Sequence, residues 1–214
     1  MRRVSLLVML ALLASVSGCG GEDEAKLSSG AFPGWTNYAV ESQGFALDVP
    51  SDWRAISVED VAKSGFIEKL AKENPDMAPA VETFSQPDSP LRFFAADPSI
   101  TRQFATSVTV GTEDVPPGTT LDQYRQAMLR TFDQLSAIKT DVGVRDVDLP
   151  GGSAVEFRYV MALTLNGEPI ESEVLQYLFL DGEQAYAVTY SVLPERSAEY
   201  VETIRRSADS FRLL

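Results

Sequence analysis

AVEFRYVMALTLNGEPIESEVLQYLFLDGEQAYAVTYSVL, residues 154–193, is the stretch that decides the fold. Val155, Phe157, Tyr159, Met161, Leu163 and Leu165 recur at every second position, the period of a strand with one buried face. Asn166-Gly167 follows, the dipeptide that best accepts the positive φ angles of a two-residue hairpin turn. A second strand is expected over 173–180, a second tight turn at Asp181-Gly182, and a third strand over 185–193 aligning Tyr186, Val188, Tyr190 and Val192. Two-residue hairpins can join only antiparallel neighbours, so this segment is an antiparallel meander.

Working outward, residues 142–149 read as a further strand. Before it, Thr120 with Gln123 forms a capping box for a helix carrying Leu121, Tyr124, Met128, Phe132 and Leu135 on one stripe. Residues 91–96 and 104–110 read as strands, with Phe104, Thr106, Val108 and Val110 on one face. Phe45, Leu47 and Val49 alternate until Pro50 stops that strand. Residues 57–73 read as a helix with Ser57 as N-cap. A last helix over about 197–209 would turn Val201, Ile204 and Ala208 inward, with Phe211 closing over its end. Strands do not alternate with crossover helices and no GxGxxG is present, which excludes a dinucleotide-binding fold. The expected class is α+β, an antiparallel sheet flanked by helices.

The 214 residues suit one domain, and 44% apolar with 23% charged residues is the balance of a globular protein. A net charge of −13 argues against a nucleic-acid surface, which needs a concentrated cationic face. With no histidine in the chain, a Ser-His-Asp triad, a Cys-His dyad and an HExxH zinc helix are all excluded. No cofactor motif is present.

Met1-Arg2-Arg3 is a short cationic start, and residues 4–16 are an uncharged apolar run of 13 residues, too short to span a bilayer. Val16-Ser17-Gly18-Cys19 ends it and resembles a bacterial lipobox, in which the cysteine thiol is acylated and the preceding peptide removed. Cys19 is the single cysteine of the chain, so lipidation would leave no thiol for a disulfide. The expected organisation is a signal peptide over 1–18, lipidated Cys19 with a Gly/Ser-rich acidic tether over 19–34, and one domain over 35–214. The protein would then be held by lipid at the extracytoplasmic face of the cell membrane, each buried CH₂ contributing about 0.8 kcal/mol.

GFALDVPSDW (44–53), AYAVTY (185–190) and the terminal Ile204 to Ser210-Phe211 together resemble the PsbP-like fold, in particular the LpqN/LpqT-type lipoproteins of actinobacteria. The resemblance covers about residues 37–214. It implies an α/β/α sandwich around an antiparallel sheet and a binding or assembly role. Its motifs are packing motifs with no catalytic group among them.

Candidate chemistry is sparse. Trp53 could line a ligand site, but a Trp after a strand-ending Pro is expected to pack, here beneath the first helix. Tyr159, Tyr177, Tyr186 and Tyr190 could line a cavity between sheet and helix, with cross-strand aromatic pairing as the expected role. Asp141, Asp146 and Asp148 lack the alternate spacing and central glycine of a calcium loop. Glu168, Glu171, Glu173 and Glu183 show no acid–base pairing, and Ser136-Ala137-Ile138-Lys139 matches S-x-x-K without its partner motifs.

The leading functional expectation is a non-enzymatic envelope lipoprotein that binds protein partners. The alternatives are a carrier of a lipid or other apolar ligand and, third, a carboxylate-based hydrolase. An acidic chain is expected to attract partners presenting basic residues.

Two outcomes follow from the sequence. Cys19→Ala should abolish fatty-acid labelling in a bacterial host and release the protein from the detergent phase. Chelator should leave the melting temperature unchanged, since all-carboxylate sites suit zinc and copper poorly.

Overall fold

The structure, a computed structural model, describes residues 28–30, 32–57, 89–101, 104–165 and 168–214. The expected signal peptide, Cys19, most of the tether, the helix over 57–73 beyond its first residue, and the Asn166-Gly167 turn lie outside the described residues.

Eleven strands are described: β1 (Ser28–Ser29), β2 (Trp35–Val40), β3 (Phe45–Pro50), β4 (Arg54–Ser57), β5 (Leu91–Thr101), β6 (Phe104–Asp114), β7 (Gly143–Leu149), β8 (Gly152–Leu165), β9 (Glu168–Asp181), β10 (Gln184–Val192) and β11 (Arg212–Leu213). Two helices accompany them, α1 (Leu121–Phe132) and α2 (Ser197–Ser210). Strands β4-β5-β6-β10-β9-β8-β7 form one seven-stranded sheet, and β1-β2-β3-β11 a second of four. Every pairing is antiparallel.

The meander forms as its turns require. β8 and β9 pair from Leu165 opposite Glu168 outward, flanking Asn166-Gly167. Between β9 and β10 the turn sits one residue later than expected. Asp181 pairs with Gln184, so Gly182 and Glu183 are the turn residues, with Gly182 at φ +57°.

Alternation then sorts side chains between two cores. Phe157, Tyr159 and Met161 of β8, with Val174 and Leu178 of β9, face α1 and meet Tyr124, Met128 and Phe132. Thr120 and Gln123 make the expected reciprocal capping box. The opposite face presents Phe179, Tyr186, Val188 and Tyr190 to a joint cover of β3 and α2.

The fold is therefore a sheet-dominated α+β arrangement. The expectation of a sheet flanked by helices is met only in part, because a second small sheet shares one covering layer with α2.

That second layer corrects two readings. β3 is buried along its length and not on alternate residues alone, since it is packed as an inner strand between β2 and β11. Val201 does not face inward; it is 62% exposed, and Tyr200, Ile204, Ser207 and Ala208 are the buried positions of α2.

Phe211 closes the end as expected. Its ring lies 4.6 Å from Phe179, 6.0 Å from Phe45 and 6.2 Å from Tyr186, joining both sheets. A Cβ on Gly151 would come within 2.2 Å of the Phe211 carbonyl oxygen, so this approach requires glycine.

Phe211→Ala should lower unfolding free energy by about 3–5 kcal/mol in urea titrations, the usual cost of an emptied aromatic site. Val201→Ala on the same chain end should change it by less than about 0.5 kcal/mol.

Candidate functional site

α2 covers only part of the sheet face beneath it. Toward β8 and β7 the face emerges, and there a cleft of about 220 Å³ lies between strands and helix. Hairpin register builds its floor. Arg145 of β7 sits opposite Glu156 of β8, which sits opposite Tyr177 of β9. The next row places Arg158 opposite Leu175, and Leu175 opposite Tyr190. Glu173 and Val192 extend the floor, and α2 contributes Ser197, Val201, Ile204 and Arg205 as the wall.

The cleft combines an apolar base with a charged rim. Glu156 is 5% exposed and would be costly as a lone carboxylate. Arg145 answers it bidentately, donating from Nε at 2.7 Å and from Nη2 at 2.8 Å. That pairing raises the Arg145 pKa. Tyr177 is pushed up by burial and then by the Glu156 charge beside it.

Arg205 is held by Glu202 and Asp209. Glu202, hydrogen-bonded by Arg205 and Arg206, is held down to about 2. Tyr190, wholly buried, is raised by burial. Its hydroxyl makes no hydrogen bond of regular geometry, and the nearby Ser207 is committed to the Asp48 carbonyl at 2.8 Å.

Glu156 and Glu202 thus serve as counter-ions to arginines, and burial favours the protonated form of Tyr177 and Tyr190.

The other sequence candidates are dispersed. Trp53 is buried, its ring 6.4 Å from Tyr200 of α2; the first helix, its expected cover, lies outside the described residues. Tyr159 packs 5.0 Å from Phe132 of α1, and Tyr186 6.3 Å from Phe45, both as core. Tyr177 and Tyr190 meet edge-to-face at 6.3 Å, as cross-strand pairing expects, yet they also line the cleft.

Asp146 accepts from Arg125 at 2.8 Å, and Asp148 from Ser153. Lys139 donates to the Ser136 carbonyl, not to its hydroxyl. Among the described residues no cluster of three or more potential metal ligands forms. No described helix is long and apolar enough to cross a membrane.

Sequence reasoning missed Arg145, Glu156, Arg158 and Arg205. Counting back from the two hairpins would have aligned the first three, whereas Arg205 depends on where α2 docks.

With this geometry in view, the likeness to solved structures is informative. Cyanobacterial PsbP (CyanoP) from Synechocystis sp. PCC 6803 superposes with a TM-score of 0.52, over 92% of this chain and 98% of that one, at 15% identity. The fold is PsbP-like. LpqN of Mycobacterium tuberculosis, described as involved in cell envelope biogenesis, matches with a TM-score of 0.49 at 10% identity, over 88% of this chain and 89% of that one. No family model and no curated protein matches the sequence.

Removing Arg145 strands a buried carboxylate, whereas removing Glu156 leaves an arginine free to face water. Arg145→Ala should therefore cost about 1–3 kcal/mol of stability and Glu156→Gln clearly less, both read by urea unfolding.

Burial raises Tyr124, Tyr159, Tyr177 and Tyr190 alike. A raised phenol favours the folded state while the unfolded tyrosine is still protonated. Stability should hold below pH ~10 and fall above it, by up to about 1.4 kcal/mol per pH unit for each tyrosine.

Proposed function

We infer that this chain is a non-enzymatic lipoprotein of the cell envelope, anchored through Cys19 on the extracytoplasmic side, whose PsbP-like domain works by binding a protein partner at the cleft beside α2. The observation that carries the reading is the cleft's electrostatics. Its buried carboxylate is locked by a bidentate arginine, while Val201 stands 62% exposed beside it. Interfaces are enriched in arginine and aromatic residues, and Arg145, Arg158, Arg205 and Tyr177 line this cleft.

The lipobox at residues 16–19 supports the anchor. The likeness to CyanoP supports the fold. The absence of histidine from the sequence supports the non-catalytic part.

Carriage of an apolar ligand is the second reading, favoured by the floor of Leu175, Tyr177, Val192 and Ile204. Its weakness is size, because pockets for drug-sized ligands occupy about 300–1,000 Å³.

Cross-linking in the native envelope tests the reading. Val201→Asp should remove the cross-linked species, and Val144→Asp, exposed on the face of β7 away from the cleft, should retain them. Hydrolysis of an ester, glycoside or peptide that is lost in Glu156→Gln would overturn the non-enzymatic assignment. Retention of every cross-link in Val201→Asp would overturn the cleft as the contact.

A further inference from the structure

Among the described residues, one cation of the cleft is held only by a long ion contact. Arg145 is bound bidentately by Glu156, and Arg205 by Glu202 and Asp209. The Arg158 side chain makes no hydrogen bond to any described residue, and its ion contact with Glu173 is long at 3.9 Å. It remains 58% exposed although it stands over the cleft floor.

Register places it on the same face as Arg145 and diagonal to it, with Glu156 between them in sequence. Diagonal cross-strand neighbours stand about 7–8 Å apart, within reach of long side chains. A bound anion above Leu175 therefore meets the Arg158 guanidinium, with the Arg145–Glu156 pair alongside, and planar guanidinium donors suit a carboxylate.

The rest of the cleft limits what that anion carries. Leu175 lies opposite Arg158, with Tyr177, Val192 and Ile204 around it, so an apolar group is accommodated directly beneath the charge. The 220 Å³ volume admits a group of about one side chain and not an acyl chain. Glu173 on the same floor is only loosely paired, so it repels further negative charge and favours a monoanion.

We propose that the cleft binds a small amphipathic monocarboxylic acid, its carboxylate on Arg158 and its aromatic or branched apolar group on the floor of Leu175, Tyr177 and Ile204. This goes beyond the partner reading of the same cleft and stands or falls separately from it.

The test is calorimetric and NMR titration of the full chain with 3-phenylpropionate, with 3-phenylpropanol, acetate and dodecanoate as separate arms. 3-Phenylpropionate should bind at least about tenfold tighter than the neutral alcohol and than acetate, a factor of ten being 1.4 kcal/mol. Shift changes should centre on Leu175 and Tyr177. Arg158→Ala should weaken binding about tenfold, Arg158→Lys should recover part of it, and Arg130→Ala, an exposed charge on α1, should leave it unchanged.

Equal binding of the alcohol would reduce the cleft to an apolar hollow, and equal binding of acetate would reduce Arg158 to a surface charge. Tighter binding of dodecanoate, or an unaltered Arg158→Ala, would equally overturn the proposal. So would the absence of saturation by about 10 mM. Should the titration fail while cross-links still depend on Val201, the partner reading stands and this inference falls alone.

Discussion

The burial of Phe211 is the contact on which the rest of the molecule depends. A seven-stranded sheet and a four-stranded sheet share no strand, so their relation is fixed by what packs between them and by the short link from β3 to β4. Phe211 touches β3 through Phe45, β9 through Phe179 and β10 through Tyr186, immediately before β11 joins the small sheet. The pairing of Arg212 with Ala46, continued inward, would bring Ser210 opposite Asp48. There the strand has already given way to helix, and the Ser210 hydroxyl accepts from the Asp48 amide while Ser207 donates to the Asp48 carbonyl. Two helix serines thus satisfy a strand edge that would otherwise be buried and unpaired, and they fix the rotation of α2 about its axis.

That rotation decides the cleft. With Ser207 and Ala208 held inward, Tyr200 and Ile204 follow at helical spacing and Val201 is carried outward. The helix then covers β10 and part of β9 but leaves the β8 and β7 rows of the same face open. Charged residues occupy those rows because an uncovered face must be solvated. Glu156 is the exception, sunk beneath its neighbours and tolerable only because Arg145 and Tyr177 surround it. The site owes its electrostatics to this partial coverage.

The presence of two hairpins, the second with its turn one residue later than Asp181-Gly182, the capping box at Thr120 and Gln123, and the period-two runs of β8 and β10 are legible in the amino-acid sequence, because each rests on local backbone chemistry. The terminal PsbP-like motifs are legible for the same reason; Pro50 ends a strand and Phe211 closes a helix by local rules. Val201 reads wrongly because an apolar residue at helical spacing signals a buried stripe only while the docking angle is average. Here the serines turn the helix away from that average.

Sequence by itself determined the antiparallel meander, the two core-facing stripes and the exclusion of histidine chemistry, since strand period, turn dihedrals and residue type act within a few residues. Tertiary structure alone decided that a second sheet shares a layer with α2, that Arg158 stands above Leu175 with only a long ion contact to Glu173, and that Glu156 is buried. Those outcomes depend on contacts between segments far apart in the chain, such as Asp48 with Ser207, and no local preference encodes which surface such contacts leave open.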